Sequence, residues 1–158
     1  EEIYLDYQSR TSLELLKILC REHWNVSPKF ISSSEGFENK VEGKTAALII
    51  GDRAFSANGN YKFVFDLSAS WNEMTGLPFV FACWVSNKKI EDDFISEFNA
   101  SLKTGVKNRV KAIEKESINY PHCLNPVEYL NHKISYNLDA EKRRGMDLFL
   151  RKVTLNKQ

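Results

Sequence analysis

The chain has 158 residues, 42% of them hydrophobic and 27% charged, with a formal net charge of +1. That length suits one domain able to bury roughly 68–70% of the surface of its unfolded chain. The near-neutral balance excludes the basic excess of a nucleic-acid surface, and no stretch approaches the ~18 apolar residues needed to span a bilayer.

The opening Glu1-Glu2-Ile3 has neither an initiating methionine nor the basic, apolar and small-residue order of an export signal, which reads as a processed or trimmed chain. Ile3 and Leu5 alternate with more polar neighbours as in a β-strand, and Leu15, Leu16, Ile18 and Leu19 then take up helical spacing. Between them Ser9, Arg10, Thr11 and Ser12 stand where the helix begins. Unpaired N–H groups and the positive end of the helix dipole, with hydroxyls and an arginine beside them, make a socket for a carboxylate or phosphate. An ordinary N-cap with a surface arginine explains the same residues.

The first helix is expected to end near Trp24-Asn25, and Pro28 to Ser32 reads as a second strand. The polar stretch from Ser33 to Gly43 has room for a short helix around Phe37 and Val41. Ala46 to Ile50 is an unbroken apolar run closed by Gly51, which suits a strand buried in a parallel sheet. Asp52 can cap a short helix through Phe55, and Asn58-Gly59-Asn60 forms a turn. Lys62 to Asp66 alternates as a strand. Leu67 to Thr75 is a helix stopped by Gly76, and Phe79 to Val85 is the most apolar strand of the chain. From Ile90 to Ile113 apolar residues recur at threes and fours, predicting one long amphipathic helix with an interruption near Gly105 and an end at Pro121. Asn125-Pro126 caps a brief helix, and Asp139 opens a last one whose stripe is Met146, Phe149, Leu150 and Val153. The first half is therefore α/β and the second mostly helical.

The three histidines and three cysteines match no zinc spacing, so no metal is expected. Odd, widely spaced cysteines fit reduced thiols in a cytoplasmic protein. No cysteine sits in a nucleophile elbow, and no Gly-rich phosphate loop or dinucleotide fingerprint is present, which leaves cofactor-free chemistry or plain binding. Gly51 and Asp52 are a second candidate site, since ligands of open α/β sheets lie beyond the carboxyl ends of the strands; a turn glycine followed by an N-cap aspartate is the plain alternative. Phe79 belongs either to the core or to a ring-binding wall.

Ser9-Arg10-Thr11-Ser12 after a strand, Leu48-Ile49-Ile50-Gly51-Asp52-Arg53-Ala54, and Met74-Thr75-Gly76-Leu77-Pro78-Phe79-Val80-Phe81-Ala82 together resemble the chorismate dehydratases of the futalosine route to menaquinone. The resemblance covers nearly the whole chain and corresponds to the later part of the family pattern, without its early Tyr-Leu-Asn motif. It implies an α/β fold of the periplasmic-binding-protein type II kind. Residues 1–72 would form the second lobe, and 73–158 a crossover strand and C-terminal helices belonging to the first lobe.

It also implies a cytoplasmic lyase of menaquinone biosynthesis, converting chorismate to 3-[(1-carboxyvinyl)oxy]benzoate without cofactor. The substrate would be bound by Ser9, Arg10, Thr11, Ser12, Gly51, Asp52 and Phe79, with no catalytic base assigned. A sister family that cleaves a futalosine derivative carries a histidine about where Gly51 stands, so Gly51 separates this chain from it and leaves room for a ring. With part of the cleft outside this stretch, the isolated chain is expected to turn over little. A solute-binding protein of the same fold, holding a small carboxylated ligand without chemistry, is the competing expectation. A helical interaction module is the third.

Overall fold

A computed structural model describes residues 1–57, 61–116 and 125–155. Packing divides the chain into two compact units, Glu1–Ala82 with Leu138–Gln158, and Cys83–Asn137.

The first unit is built on three short parallel strands, β1 (Glu2–Leu5), β2 (Lys29–Ser32) and β3 (Thr45–Ala47), in the order β2-β1-β3. Ile3 lies opposite Phe30 on one side and Ala46 on the other. The run expected to be a strand to Ile50 leaves the ladder early. The Leu48 N–H still donates to the Tyr4 carbonyl at 2.9 Å, but the Ile50 N–H donates to the Asp6 carboxylate.

Helix α1 (Thr11–Glu22) crosses from β1 to β2 and is buried on two faces. Leu16 and Cys20 meet Leu5 and Leu48 of the sheet, with Ile3 and Phe30 alongside. Leu15, Ile18 and Leu19 face the other way, into a cluster with Trp71, Phe79 and Phe149. The Trp71 ring is fully buried and edge-on to Phe79 (5.5 Å between centroids) and to Phe149 (6.1 Å). Its indole N–H has no acceptor among the described residues. Truncating such a ring costs about 3–5 kcal/mol.

Local chemistry explains the remaining boundaries of this unit. A 3₁₀ turn (Phe37–Lys40) buries Phe37, and α2 (Asp52–Ala57) follows Gly51. Helix α3 (Leu67–Thr75) starts where the Asp66 carboxylate accepts from the Ala69 N–H at 2.9 Å. It stops at Gly76, whose left-handed φ of 69° lets its N–H close on the Asn72 carbonyl. Helix α7 (Ala140–Leu155) is opened by Asp139, which accepts from the Lys142 N–H at 3.0 Å. Its inward stripe is Gly145, Leu148, Phe149 and Val153. Leu150, expected on that stripe, is exposed.

The second unit holds α4 (Asp92–Lys107), α5 (Arg109–Glu116), α6 (Pro126–Glu128) and a π-type turn (Tyr129–Lys133). The expected interruption of the long helix falls at Asn108 rather than Gly105, because the Asn108 side chain bonds the Thr104 carbonyl at 2.9 Å and ends the first segment. The apolar stripe of α4 has no buried member, and Ile113 of α5 is buried. Trp84 is 77% exposed and rests edge-on to Phe98 at 5.4 Å.

Two expected strands, Lys62–Asp66 and Phe79–Val85, are absent. A strand exists by its ladder, and neither segment pairs with β1, β2 or β3. Phe63, Val64 and Phe65 are therefore largely exposed, although the Trp24 ring lies 5.6 Å from Phe65. Asn58–Asn60, Pro121, His122 and Cys123 lie outside the described residues.

Two predictions follow from the packing of α7. A Cβ at Gly145 would lie 2.2 Å from the Pro78 carbonyl oxygen, so backbone must move. Gly145→Ala, which ordinarily strengthens a helix, should here lower stability by roughly 1–3 kcal/mol in a urea titration; a gain would mean that the helix does not cross that close. Lys152 of α7 pairs with Glu22 of α1. Burial pushes the Glu22 carboxyl up, but its hydrogen bonds to Lys152 and Arg21, with their charges, outweigh this and hold it below its ordinary value. The resulting stability is present above the unfolded pKa of about 4.3 and is lost as pH falls through the lower folded value. Glu22→Gln should thus melt below wild type at pH 7 by at most about 1 kcal/mol, with the gap closing on acidification below about pH 4.

Candidate functional site

In a sheet of order β2-β1-β3 the crossover reverses direction between β1 and β3, and such a switch point opens a crevice beyond the carboxyl ends of those strands. The chain leaving β1 runs through Asp6, Tyr7 and Gln8 to Ser9–Ser12, and the chain leaving β3 runs through Leu48 and Ile50 to Gly51 and Asp52. The structure therefore brings two of the three groups of residues singled out in the sequence to one end of the sheet. Phe79 lies elsewhere in its contacts, among the core rings of Trp71 and Phe149, 8% exposed.

The corner is capped by one hydroxyl and leaves the others available. Ser9 Oγ accepts from the Ser12 N–H at 3.0 Å, closing one of the helix's open donors, while the Arg10 backbone accepts from the Glu14 N–H at 3.1 Å. Arg10 projects into solvent and has no ion-pair partner among the described residues. Thr11 is half-buried. Ser12 is 6% exposed, and its hydroxyl has no hydrogen-bond partner among the described residues. A nearly buried hydroxyl left with spare capacity, next to helix N–H groups, can complete the shell of an oxyanion. Gly51 has φ +63°, where side chains are strained, and a Cβ there would meet nothing within 4 Å. The space beside Gly51 is open.

One part of the site was not apparent from the sequence. The Asp6 side chain is fully buried and receives the Gln8 N–H at 2.8 Å, the Ile50 N–H at 3.2 Å and Arg53 Nη2 at 2.7 Å. Arg53 also gives Nη2 to the Gln8 side chain at 3.3 Å and Nη1 to Glu38 at 2.7 Å, and its guanidinium lies 4.9 Å from the Tyr7 ring centroid and 5.5 Å from that of Phe37. Burial pulls the Arg53 pKa down, but the hydrogen bonds to Glu38 and Asp6 and the Asp6 charge more than offset it, so the net direction is up. Arg53 also borders a cleft of about 370 Å³, whose lining includes Glu35, Glu38, Asn39, Ser56 and Tyr61. An aspartate directly after a strand and an arginine at the start of the helix after the neighbouring strand are the only sequence signal for this pair, and it acquires meaning once β1 and β3 are known to be adjacent.

Among the described residues no group of three or more metal-type ligands is gathered, and no helix is long and apolar enough to cross a membrane.

A family model described as menaquinone biosynthesis matches residues 1–154. The chain is also similar to a chorismate dehydratase of Thermus thermophilus, 32% identical over 104 residues, a match covering 55% of this chain and 38% of that protein. The chain thus spans well under half the length of this curated relative.

The capping geometry separates Ser9 from Arg10. Ser9→Ala should cost about 0.5–2 kcal/mol of stability through the lost cap, whereas Arg10→Ala, with no partner to lose, should fall within about 0.5 kcal/mol of wild type. Chemical denaturation of the two variants checks both. Equal losses would show that the Ser9 hydroxyl does not carry the helix start.

Proposed function

The chain belongs to the menaquinone-biosynthesis family, and from that premise we propose that it forms part of a chorismate dehydratase. The reaction removes the ring hydroxyl of chorismate and one neighbouring ring proton as water, leaving the aromatic ring of 3-[(1-carboxyvinyl)oxy]benzoate. Aromatisation drives it, so the protein's share is to orient a dianion and stabilise charge as it develops. It needs no cofactor.

The observation that carries this reading is that the Ser9–Ser12 corner and Gly51-Asp52 follow neighbouring strands at the same end of the sheet, with the hydroxyl of the nearly buried Ser12 unpartnered among the described residues and reachable from solvent. Thr11, Ser12 and the first N–H groups of α1 hold one substrate carboxylate, with the exposed Arg10 as counter-charge. Gly51 leaves room for the ring. Phe79 acts from behind, holding α1 through the core. No side chain is assigned as the base, and a substrate carboxylate can serve instead.

The parallel sheet with its ligand site at the carboxyl ends supports a periplasmic-binding-protein type II-like lobe. In a two-lobed protein of that kind the strand-type stretches Lys62–Asp66 and Phe79–Val85 are the segments that cross between lobes and find partners there. The reading also carries a cytoplasmic setting, supported by the odd, dispersed cysteines.

Incubating the full-length protein with chorismate, and following the aromatic product by absorbance after chromatography, tests the reaction. Product should form without added cofactor and in the presence of a chelator. Thr11→Ala and Ser12→Ala should each lose roughly ten- to a hundredfold in kcat/KM, the worth of a hydrogen bond to a charged group. Absence of product together with tight binding of another carboxylated solute would replace the dehydratase by a solute-binding protein.

A further inference from the structure

Resting on the dehydratase reading, we propose that Asp6 is a positioning residue, which holds the two walls of the crevice at the separation the substrate requires. Its carboxylate is fully buried, and a buried charge persists only when paired and hydrogen-bonded. Its three donors are divided between the walls. The Gln8 N–H belongs to the segment leading into Ser9–Ser12, while the Ile50 N–H and Arg53 bracket Gly51 and Asp52.

The arrangement matters because of what lies between the two donors on the β3 side. Gly51, at φ +63° with open space where a Cβ would stand, is the position about which Asp52 could swing. Ile50 fixed on one side and Arg53 on the other remove that freedom. Arg53 is itself braced by Glu38 at 2.7 Å and by the Tyr7 and Phe37 rings, so its charge is consumed within the scaffold and acts on the substrate only through Asp6.

Asp6→Asn in the full-length protein keeps the size of the side chain, but its one acceptor oxygen cannot serve three donors. The expected result is a loss of roughly tenfold or more in kcat/KM, falling mainly on kcat because the lost constraint is geometric. The control is Val153→Ala on α7, which weakens the core without altering α1 or the corner; at a matched loss of Tm it should keep wild-type kcat/KM. Equal losses in the two variants would overturn the proposal.

Amide hydrogen exchange decides the same point without any substrate. The Gln8 and Ile50 amides should exchange roughly tenfold or more faster in Asp6→Asn while the core amides of α1 hold their protection, and unchanged exchange at Gln8 and Ile50 would overturn the proposal. If wild type fails to turn over chorismate, the dehydratase reading falls, and the exchange result alone settles whether Asp6 sets the crevice. Should Asp6→Asn not fold, the pair Asp6→Asn with Arg53→Gln, which removes the buried carboxylate's charge together with that of its partly exposed partner, takes its place in the exchange measurement.

Discussion

Burial of α1 against two clusters at once is the constraint on which the first unit depends. Six of its twelve residues are buried, and the five apolar ones divide between the sheet and the ring cluster of Trp71, Phe79 and Phe149. A helix used in this way cannot rotate or slide without exposing one apolar set to water. Its first turn is therefore fixed relative to the carboxyl end of β1, and the Ser9–Ser12 corner has a defined position before any ligand arrives. The corner's own hydrogen bonds need only shape the last few ångströms.

The two arginines of the region illustrate how partner geometry assigns different roles to one side chain. Arg10 is at the helix start, exposed and without a counter-charge among the described residues. Arg53 stands between one fully buried carboxylate and a second that is mostly buried, with aromatic faces about it. The first is available to a diffusing anion. The second, already neutralised, offers such an anion little net attraction and instead connects α2 to the end of β1 and to the 3₁₀ turn.

Much of the first unit was legible in the sequence because its signals are local. The switch from alternation to helical spacing at Leu5–Leu15, Gly76 at the end of α3, and Asp139 before α7 each act within a few residues. Apart from the helix break at Asn108, whose bond to Thr104 is local, the failures share one cause, which is that the deciding partner is distant in sequence. Lys62–Asp66 and Phe79–Val85 have strand-type residues, but strandhood depends on a neighbouring strand that local pattern cannot supply. The inward stripe of α7 shifted because Gly145 must pass Pro78, a contact between residues 67 positions apart. Asp6 and Arg53, separated by 47 positions, could not be paired until the strand order was known. At the candidate site the polar corner and Gly51-Asp52 were visible as residue types. The clamp joining them was not.

The distribution of the three tryptophans has an optical consequence. Trp71 is sealed among aromatic rings with no acceptor for its N–H among the described residues, Trp24 is half-buried against Phe65, and Trp84 stands in water against Phe98. Excited indoles emit at shorter wavelength where no polar neighbour can relax around them and at longer wavelength in water. Emission from this protein is therefore a composite: its blue edge comes from the ring cluster of the first unit, and its red edge, open to aqueous quenchers, comes from the second. Loss of the blue component while the red persists would signal opening of the core that seats α1, with no label attached.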